Sequence, residues 1–320
     1  IGAVLVVDRQ ITLGQFVASE LIIVLVVGSV EKVIINLDVI YDILTGLKKV
    51  AKITDLQIES QSGLRVAFQE YEKGVHLRLK NMHFRYPGNH TDTLKGINME
   101  AAPGESVCIV GPNDSGKHTL MKVITGTLNG YDGVITINHY SLRDVNLVAV
   151  RDIMSKSLSF DEIFDGTILD NITLGRTGVY HKDVLWAIQN IGLSDFIASL
   201  KDGLFTHIGP SGLKLSSGVQ AKLLLARSVV SRPRLLVVDN FMEHISKQER
   251  LKILSFLQDK QNGWTVIFLS VVDDPPLMQA CEKVFVMKEG QIVASGDYDT
   301  ITQSEQFVLL SSQTLFHRLA

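Results

Sequence analysis

The sequence predicts an α/β domain with helices on both faces of a largely parallel sheet, preceded by one long apolar helix. The first observation is a series of short apolar runs, rich in β-branched residues and bounded by Gly, Asp or Asn. Buried strands of a parallel sheet have this composition. The second observation is that helical stretches lie between the runs, an alternation that is typical of α/β architecture. The third observation is an apolar stretch without proline near the N-terminus.

The strands and helices of the α/β domain follow from local patterns. Residues 76–86 alternate polar and apolar side chains, which indicates a half-buried strand, and Pro87 with Gly88 then predicts a turn. The segment from Lys288 to Gln291 predicts a hairpin turn. Buried strands are expected at 107–110, 235–238, 266–269 and 284–287. Helices are expected at 118–126, 182–191 and 219–230.

A long helix is predicted in the N-terminal part of the chain. Thr12 is the expected N-cap of a helix from Leu13 to about residue 50, because apolar residues recur at spacings of three and four. Residues 21–30 are strongly apolar, and extension back to Leu13 reaches the lower length limit of a membrane-spanning helix. Polar residues, among them Glu20, lie in that extension. Hydropathy alone therefore leaves both a buried soluble helix and a transmembrane helix open.

Composition argues against a nucleic-acid partner and against a metal site or disulfide framework built from cysteines. The chain has 320 residues and a net charge of -3, so a nucleic-acid partner is not expected, since that would favour a clustered basic face. Cys108 and Cys281 lie in apolar stretches and form no CxxC pair. We expect buried, reduced thiols rather than a metal site or a disulfide framework. The first residue is Ile1 rather than Met, so we expect the sequence to be part of a longer chain.

A phosphate-binding loop is predicted in the segment GPNDSGKHT, which follows a predicted strand and precedes a predicted helix. Gly111 and Gly116 allow a tight turn whose N–H groups point at one anion, and the helix adds its positive end. Lys117 supplies a cation for the β- and γ-phosphates of a nucleotide. A glycine-rich turn with a solvated lysine is the alternative. The other loop residues predicted to contact nucleotide are Asn113, Ser115, His118 and Thr119.

The metal chemistry of this loop is expected to be impaired. A Ser or Thr hydroxyl normally follows the lysine and binds Mg²⁺, whereas His118 stands there. Thr119 lies about 100° further round the helix and is not expected to replace that ligand. Asp114 places a carboxylate at the rim, which should weaken phosphate binding. Downstream, an apolar run ends in Asp239, which has the form of a Walker B aspartate and is expected to hold Mg²⁺ weakly.

These segments, with several others, resemble an ABC exporter half-transporter of the bacterial peptide or protein export type. Tyr86 matches the aromatic residue that stacks on adenine in that family. The sequence LSSGVQAK from Leu215, followed by Ala226 and Arg227, resembles the LSGGQ signature and its helix. Residues 208–212, 164–172 and 290–296 resemble three further family segments. The resemblance implies an ABC-type ATPase fold, with a mixed sheet and a helical subdomain, that binds ATP and Mg²⁺.

The resemblance also covers the N-terminal part. Residues 2–18 resemble the external turn between the last two transmembrane helices of such exporters, which favours a membrane-spanning helix. Glu20 is then expected to face the bundle interior or the translocation path. The implied domains are a membrane-domain fragment at 1–54, a linker at 55–74 and a nucleotide-binding domain at 75–320. The implied location is the inner (plasma) membrane, with that domain on the cytoplasmic side.

The catalytic residues of the family are replaced in this sequence. Asn240 stands at the position of the catalytic glutamate and Val271 at that of the H-loop histidine. The Q-loop glutamine falls near Ser159, and the D-loop aspartate aligns with Ser246. Asn240 cannot accept a proton, and loss of a general base typically costs about 10²- to 10⁴-fold in rate. We therefore expect no intact catalytic residue and little ATP hydrolysis at the chain's own site.

The signature is better preserved than the catalytic positions. Ser216 offers a hydroxyl and Gly218 a backbone N–H, whereas Ser217 replaces a glycine. In the family, the signature acts across a dimer on ATP bound by the partner's P-loop. The sequence therefore favours a dimer, preferably a heterodimer with one active site. It does not indicate which substrate such an exporter would transport. A non-transporting dimerisation module and an active ATPase with a non-standard site are the two alternatives.

Overall fold

The computed structural model describes residues 2–56, 62–66, 73–157, 162–209, 215–239, 245–271 and 274–311. The chain divides into two compact units, Ile1–Ser60 and Gln61–Ala320.

The described part of the N-terminal unit, residues 2–56, contains two helices, α1 (Gly2–Val7) and α2 (Leu13–Thr54). A capping box starts α2, because the Thr12 hydroxyl accepts from the Gln15 N–H while the Gln15 side chain accepts from the Thr12 N–H. The predicted N-cap is therefore confirmed, and the helix continues past its expected end near residue 50. None of its side chains is buried, and apolar residues occur all round it. A soluble surface helix would have one apolar face.

Strands and helices alternate in the C-terminal unit, as predicted. The strands are β1 (Leu77–Phe84), β2 (Leu94–Ala101), β3 (Ser106–Val110), β4 (Asp132–Ile137), β5 (Tyr140–Ser141), β6 (Met154–Ser157), β7 (Gly166–Thr167), β8 (His207–Ile208), β9 (Leu235–Asp239), β10 (Thr265–Ser270), β11 (Lys283–Lys288) and β12 (Gln291–Gly296). The helices are α3 (Lys117–Ile124), α4 (Leu147–Asp152), α5 (Ile168–Thr173), α6 (His181–Ile191), α7 (Ser194–Ala198), α8 (Ser217–Val229), α9 (Lys247–Gln258), α10 (Pro275–Ala280) and α11 (Tyr298–Thr302).

A six-stranded mixed sheet forms the centre of this unit, in the order β12-β11-β3-β10-β9-β6. All its pairings are parallel except that of β12 with β11. Leu269 of β10 lies opposite Ile109 of β3 on one side and Asp239 of β9 on the other. The carboxyl ends of these three strands therefore meet at one edge of the sheet. Ligands of open α/β sheets bind at this edge.

Side chains on both faces of the central sheet are buried. Every residue of β3, β9 and β10 is buried, which confirms the prediction from their apolar runs. One face packs with helices such as α6, α8 and α9, and the other packs with α3 and the antiparallel sheet β2-β1-β4-β5. Cys108 and Cys281 are buried and free, as expected.

Two features of this unit differ from the simple pattern in the sequence. β1 is interrupted at Asn81, whose φ is 47°, and its pairing shifts register against both β2 and β4. Leu64, in the segment predicted to be a linker, forms a parallel bridge with Val145. The Leu64 N–H donates to the Asp144 carbonyl at 2.8 Å, so this part of the segment belongs to the C-terminal unit.

Candidate nucleotide site

The loop between β3 and α3 has the strand–loop–helix arrangement that the sequence predicted. A Cβ at Gly111 would overlap the backbone carbonyl oxygen of Met287 in the neighbouring strand β11. Gly116 has a φ of 97°, a left-handed conformation that other residues rarely adopt. Asp114 is also left-handed, with a φ of 64°. Both glycines are therefore required by the local geometry, and the α3 N-terminus follows directly.

Lys117 is turned onto its own loop. Its Nζ donates to the carbonyl oxygens of Gly111 at 2.7 Å and Pro112 at 2.8 Å, and to the hydroxyl of Ser115 at 3.2 Å. Only 5% of the residue is exposed. Burial lowers the pKa of Lys117 from 10.5 to about 8, although the carboxylates of Asp239 and Asp114 oppose that shift. The loop therefore contains a buried cation that is charged at neutral pH.

His118 and Asp239 are joined by a hydrogen bond of 2.8 Å between Nε2 and Oδ2. The side chain of Asp239 is 4% exposed, whereas that of His118 is 49% exposed. His118 lies in the first turn of α3, and Asp239 is the last residue of β9. The sequence pointed to each residue separately but did not predict their contact. No local signal joins two positions that lie 121 residues apart.

Tyr86 lies beside the first turn of α3. Its hydroxyl and the Thr119 hydroxyl are 3.2 Å apart, and its ring meets the Phe84 ring edge-on with centroids 5.0 Å apart. The Thr119 hydroxyl therefore helps to orient this aromatic side chain. Ser115 is 2% exposed and its carbonyl accepts from the Gly290 N–H at 3.0 Å, whereas Asn113 is exposed.

The signature residues lie at the start of α8. Ser216 is its N-cap, and the hydroxyl oxygen of this exposed residue accepts from the Val219 N–H at 3.4 Å. Gly218 follows in the first turn of the helix. At the other end of α8, Arg227 donates to the backbone and side-chain oxygens of Asn171 in α5, at 2.7 and 2.8 Å. Hydrogen bonds thus join the helix of the signature to residues 164–172, another segment that resembles the family.

The other predicted positions are only partly described. Val271 directly follows β10, at the same sheet edge as Gly111 and Asp239. Ser246 is the N-cap of α9, and its hydroxyl donates to Glu249 Oε2 at 2.7 Å. Ser159 and Asn240 lie outside the described residues.

The sequence profile of the ABC transporter family matches residues 94–243. Residues 94–243 are therefore similar to the ATPase domain of ABC transporters. The cyclolysin secretion/processing ATP-binding protein CyaB of Bordetella pertussis is 26% identical over 94% of this chain and 42% of its own length. The ATP-dependent lipid A-core flippase of Burkholderia orbicola is 26% identical over 92% of this chain and 49% of its own length. This chain therefore spans less than half the length of these relatives.

A solved structure, that of a bacterial Atm1-family ABC exporter with ATP bound, has the same fold as this chain. The TM-score is 0.74 at 23% identity, covering 85% of this chain and 47% of that chain. The ABC-type ATPase fold is thereby confirmed. Proteins with this domain bind ATP, and their phosphate loop normally acts with Mg²⁺.

The described side chains at this loop are the imidazole of His118 and the carboxylate of Asp239, rather than a hydroxyl and a carboxylate. Mg²⁺ requires a near-octahedral set of oxygen ligands. His118 replaces the hydroxyl, and its imidazole is bonded to Asp239. Within the described residues, no three side chains of His, Cys, Asp or Glu are grouped so that they could hold a metal ion.

Proposed function

We propose that this chain is the ATP-binding subunit of a membrane exporter, that its own site binds ATP but hydrolyses little of it, and that it works in a heterodimer. The observation that carries the proposal is the hydrogen bond from His118 to Asp239, because an imidazole rather than a metal-binding hydroxyl contacts one oxygen of the Walker B aspartate. The partner subunit then supplies the intact P-loop and catalytic glutamate.

The loop supports nucleotide binding. Gly111, where a Cβ would clash, and Gly116, which is left-handed, allow the backbone shape of a phosphate-binding loop. The N-terminus of α3 adds positive potential at the phosphates. Lys117 is a charged donor at the centre of the loop at neutral pH. Tyr86 supplies an aromatic face close to α3. Asp114 opposes binding, so we expect the affinity for ATP to be modest.

The residues that follow β9 and β10 support the proposal that this site hydrolyses little ATP. Phosphoryl transfer to water needs a group that positions the water and donors that stabilise the γ-phosphate. Asn240 follows Asp239 in the sequence and offers no carboxylate, and Val271 follows β10 and offers no hydrogen bond. Losses among residues that act as a unit do not add, so repair of one position should restore little.

The long helix α2 supports a place in the membrane. Its most apolar 18-residue window has a mean hydropathy of 2.0, and its 42 residues correspond to about 63 Å, twice the roughly 30 Å of a hydrocarbon core. Glu20, Glu31, Asp38 and Asp42 are its acidic residues. At about 100° per residue they lie within about 40° of one another round the helix. Carboxylates within a bilayer avoid lipid, so this face should point to other helices or to a water-filled path.

The proposed membrane domain, cytoplasmic location of the ATPase domain and partner subunit are supported by the similarity to exporters. We expect the N-terminal unit to be the end of an exporter membrane domain in the plasma membrane. In a heterodimer, Ser216 and Gly218 of this chain would serve ATP bound by the partner's loop, since positioned donors at the γ-phosphate stabilise the transition state. Asn240 would then be a bystander.

The test is the ATPase rate of the heterodimer reconstituted in lipid with two matched Ser216 variants. Asp and Asn are both good N-caps, so Ser216→Asp and Ser216→Asn should each preserve the start of α8. Only the Asp variant places a negative charge against the γ-phosphate. We expect Ser216→Asp to abolish ATP hydrolysis, Ser216→Asn to retain much of it, and Asn240→Glu to change it less than twofold. A severalfold gain from Asn240→Glu, with no effect of Ser216→Asp, would reverse the assignment of active and inactive sites.

A further inference from the structure

The carboxylate that normally faces the nucleotide's metal ion is already bonded in this chain. The side chain of Asp239 is 4% exposed, and its Oδ2 lies 2.8 Å from Nε2 of His118, a distance typical of a charge-assisted hydrogen bond. In an ordinary P-loop site, Mg²⁺ neutralises both this aspartate and the phosphates. Without the metal, an unbonded carboxylate would repel the phosphate chain.

We propose that this site takes adenine nucleotide without a divalent metal, and that His118 replaces the metal at Asp239. The inference rests on the proposed nucleotide binding, because it concerns the same loop. His118 acts as a positioning residue: its ring binds the carboxylate and lowers the repulsion that the phosphates meet.

Geometry favours the imidazole over Mg²⁺ at this position. His118 belongs to the first turn of α3, whose start is fixed by Gly116, so its ring is held against the end of β9. A Mg²⁺ ion would have to share the Asp239 carboxylate with the imidazole, and it would gain a nitrogen neighbour in place of a hydroxyl oxygen. Mg²⁺ prefers oxygen ligands and gives up its water reluctantly.

The charges that remain near the loop allow nucleotide to bind without metal. Lys117 contributes a cation, and the first N–H groups of α3 add partial positive charge. The Asp239 carboxylate is already bonded by the imidazole. Asp114, which is exposed at the rim, acts in the opposite direction. The balance predicts binding of modest affinity with little response to Mg²⁺.

The experiment measures the ATP dissociation constant of the full chain in lipid nanodiscs, with excess EDTA and with Mg²⁺. For the unmodified chain we expect the two constants to agree within twofold. His118→Ser restores a metal-ligating hydroxyl and leaves Asp239 without its imidazole partner. In that variant we expect binding about tenfold weaker in EDTA, and an increase in affinity of tenfold or more on addition of Mg²⁺.

Two further variants separate the role of His118 from a loss of folding. His118→Asn retains a donor for Asp239 and should remain indifferent to Mg²⁺. The double variant His118→Ser with Asp239→Asn removes the repelling charge and should lose most of the gained Mg²⁺ response. Melting temperatures of the variants, measured in the same nanodiscs, show that each one is folded.

Three results would overturn the inference. The first is a loss of ATP affinity of tenfold or more in the unmodified chain on chelation, which would leave the proposed nucleotide binding intact. The second is a gain of affinity with Mn²⁺ or Zn²⁺ but not Mg²⁺, since His118 would then be a ligand of a softer metal. The third is no ATP binding in any condition, which would refute the proposed nucleotide binding as well.

Discussion

Raising the pH should weaken ATP binding by neutralising Lys117. Burial lowers the pKa of this lysine to about 8 in the free protein, whereas bound phosphates favour the charged amine and raise its pKa in the complex. Below pH 7 the amine is charged in both states, so the contribution of Lys117 to the affinity should not change. At pH 9 about one molecule in eleven has a charged lysine before ATP binds. The dissociation constant should therefore rise about tenfold between pH 7 and pH 9, or about 1.4 kcal/mol.

The assay is an ATP titration of the full chain in nanodiscs at half-unit pH intervals from 6 to 9. Lys117→Met should bind weakly at every pH and show no such rise. Lys288→Met is the matched control, because Lys288 is exposed at the end of β11, next to the residue whose carbonyl crowds Gly111. It should keep the full pH dependence. A flat profile in the unmodified chain, or the same rise in Lys117→Met, would refute the role assigned to the lysine.

Two further predictions concern the loop and α2. Gly111→Ala forces a Cβ against the carbonyl of Met287, so we expect a lower melting temperature and at least tenfold weaker ATP binding. Gly209→Ala is the control, because a Cβ there meets open space, and it should change neither quantity. Equal effects of the two substitutions would contradict the steric argument. Single cysteines introduced at residues 21–30 of α2 should react little with aqueous thiol reagents in membranes. The two native thiols are buried and should give a low background. Strong labelling throughout residues 21–30 would exclude a bilayer location.

The central strands were predictable because burial on both faces leaves a strong composition signal. β3, β9 and β10 each match an apolar run to within a residue or two, since both alternating sets of side chains must be apolar. Shorter strands such as β5, β7 and β8 have only two residues each and no period to detect. The interruption of β1 at Asn81 does have a local signal, because Lys80 and Asn81 are consecutive polar residues and the buried positions shift from 77 and 79 to 82 and 84.

The loop was predictable for a different reason. Its glycines and lysine act within nine consecutive residues, so their spacing alone indicates the geometry. The bond from His118 to Asp239 was not predictable in that way. β3 and β9 both pair with β10, and only this strand order brings the start of α3 to the end of β9. The turn of Lys117 onto its own loop likewise depends on carbonyl directions that the sequence does not give.

The fate of bound ATP tests the central proposal most directly. ATP labelled on its γ-phosphate is mixed with an excess of this chain alone in nanodiscs, and bound nucleotide and released phosphate are separated over an hour. The proposal predicts that ATP is bound, that it is recovered intact, and that Lys117→Ala lowers the bound amount. Release of labelled phosphate within minutes, lost in the Lys117→Ala variant, would show that the chain's own site hydrolyses ATP and would contradict the proposal.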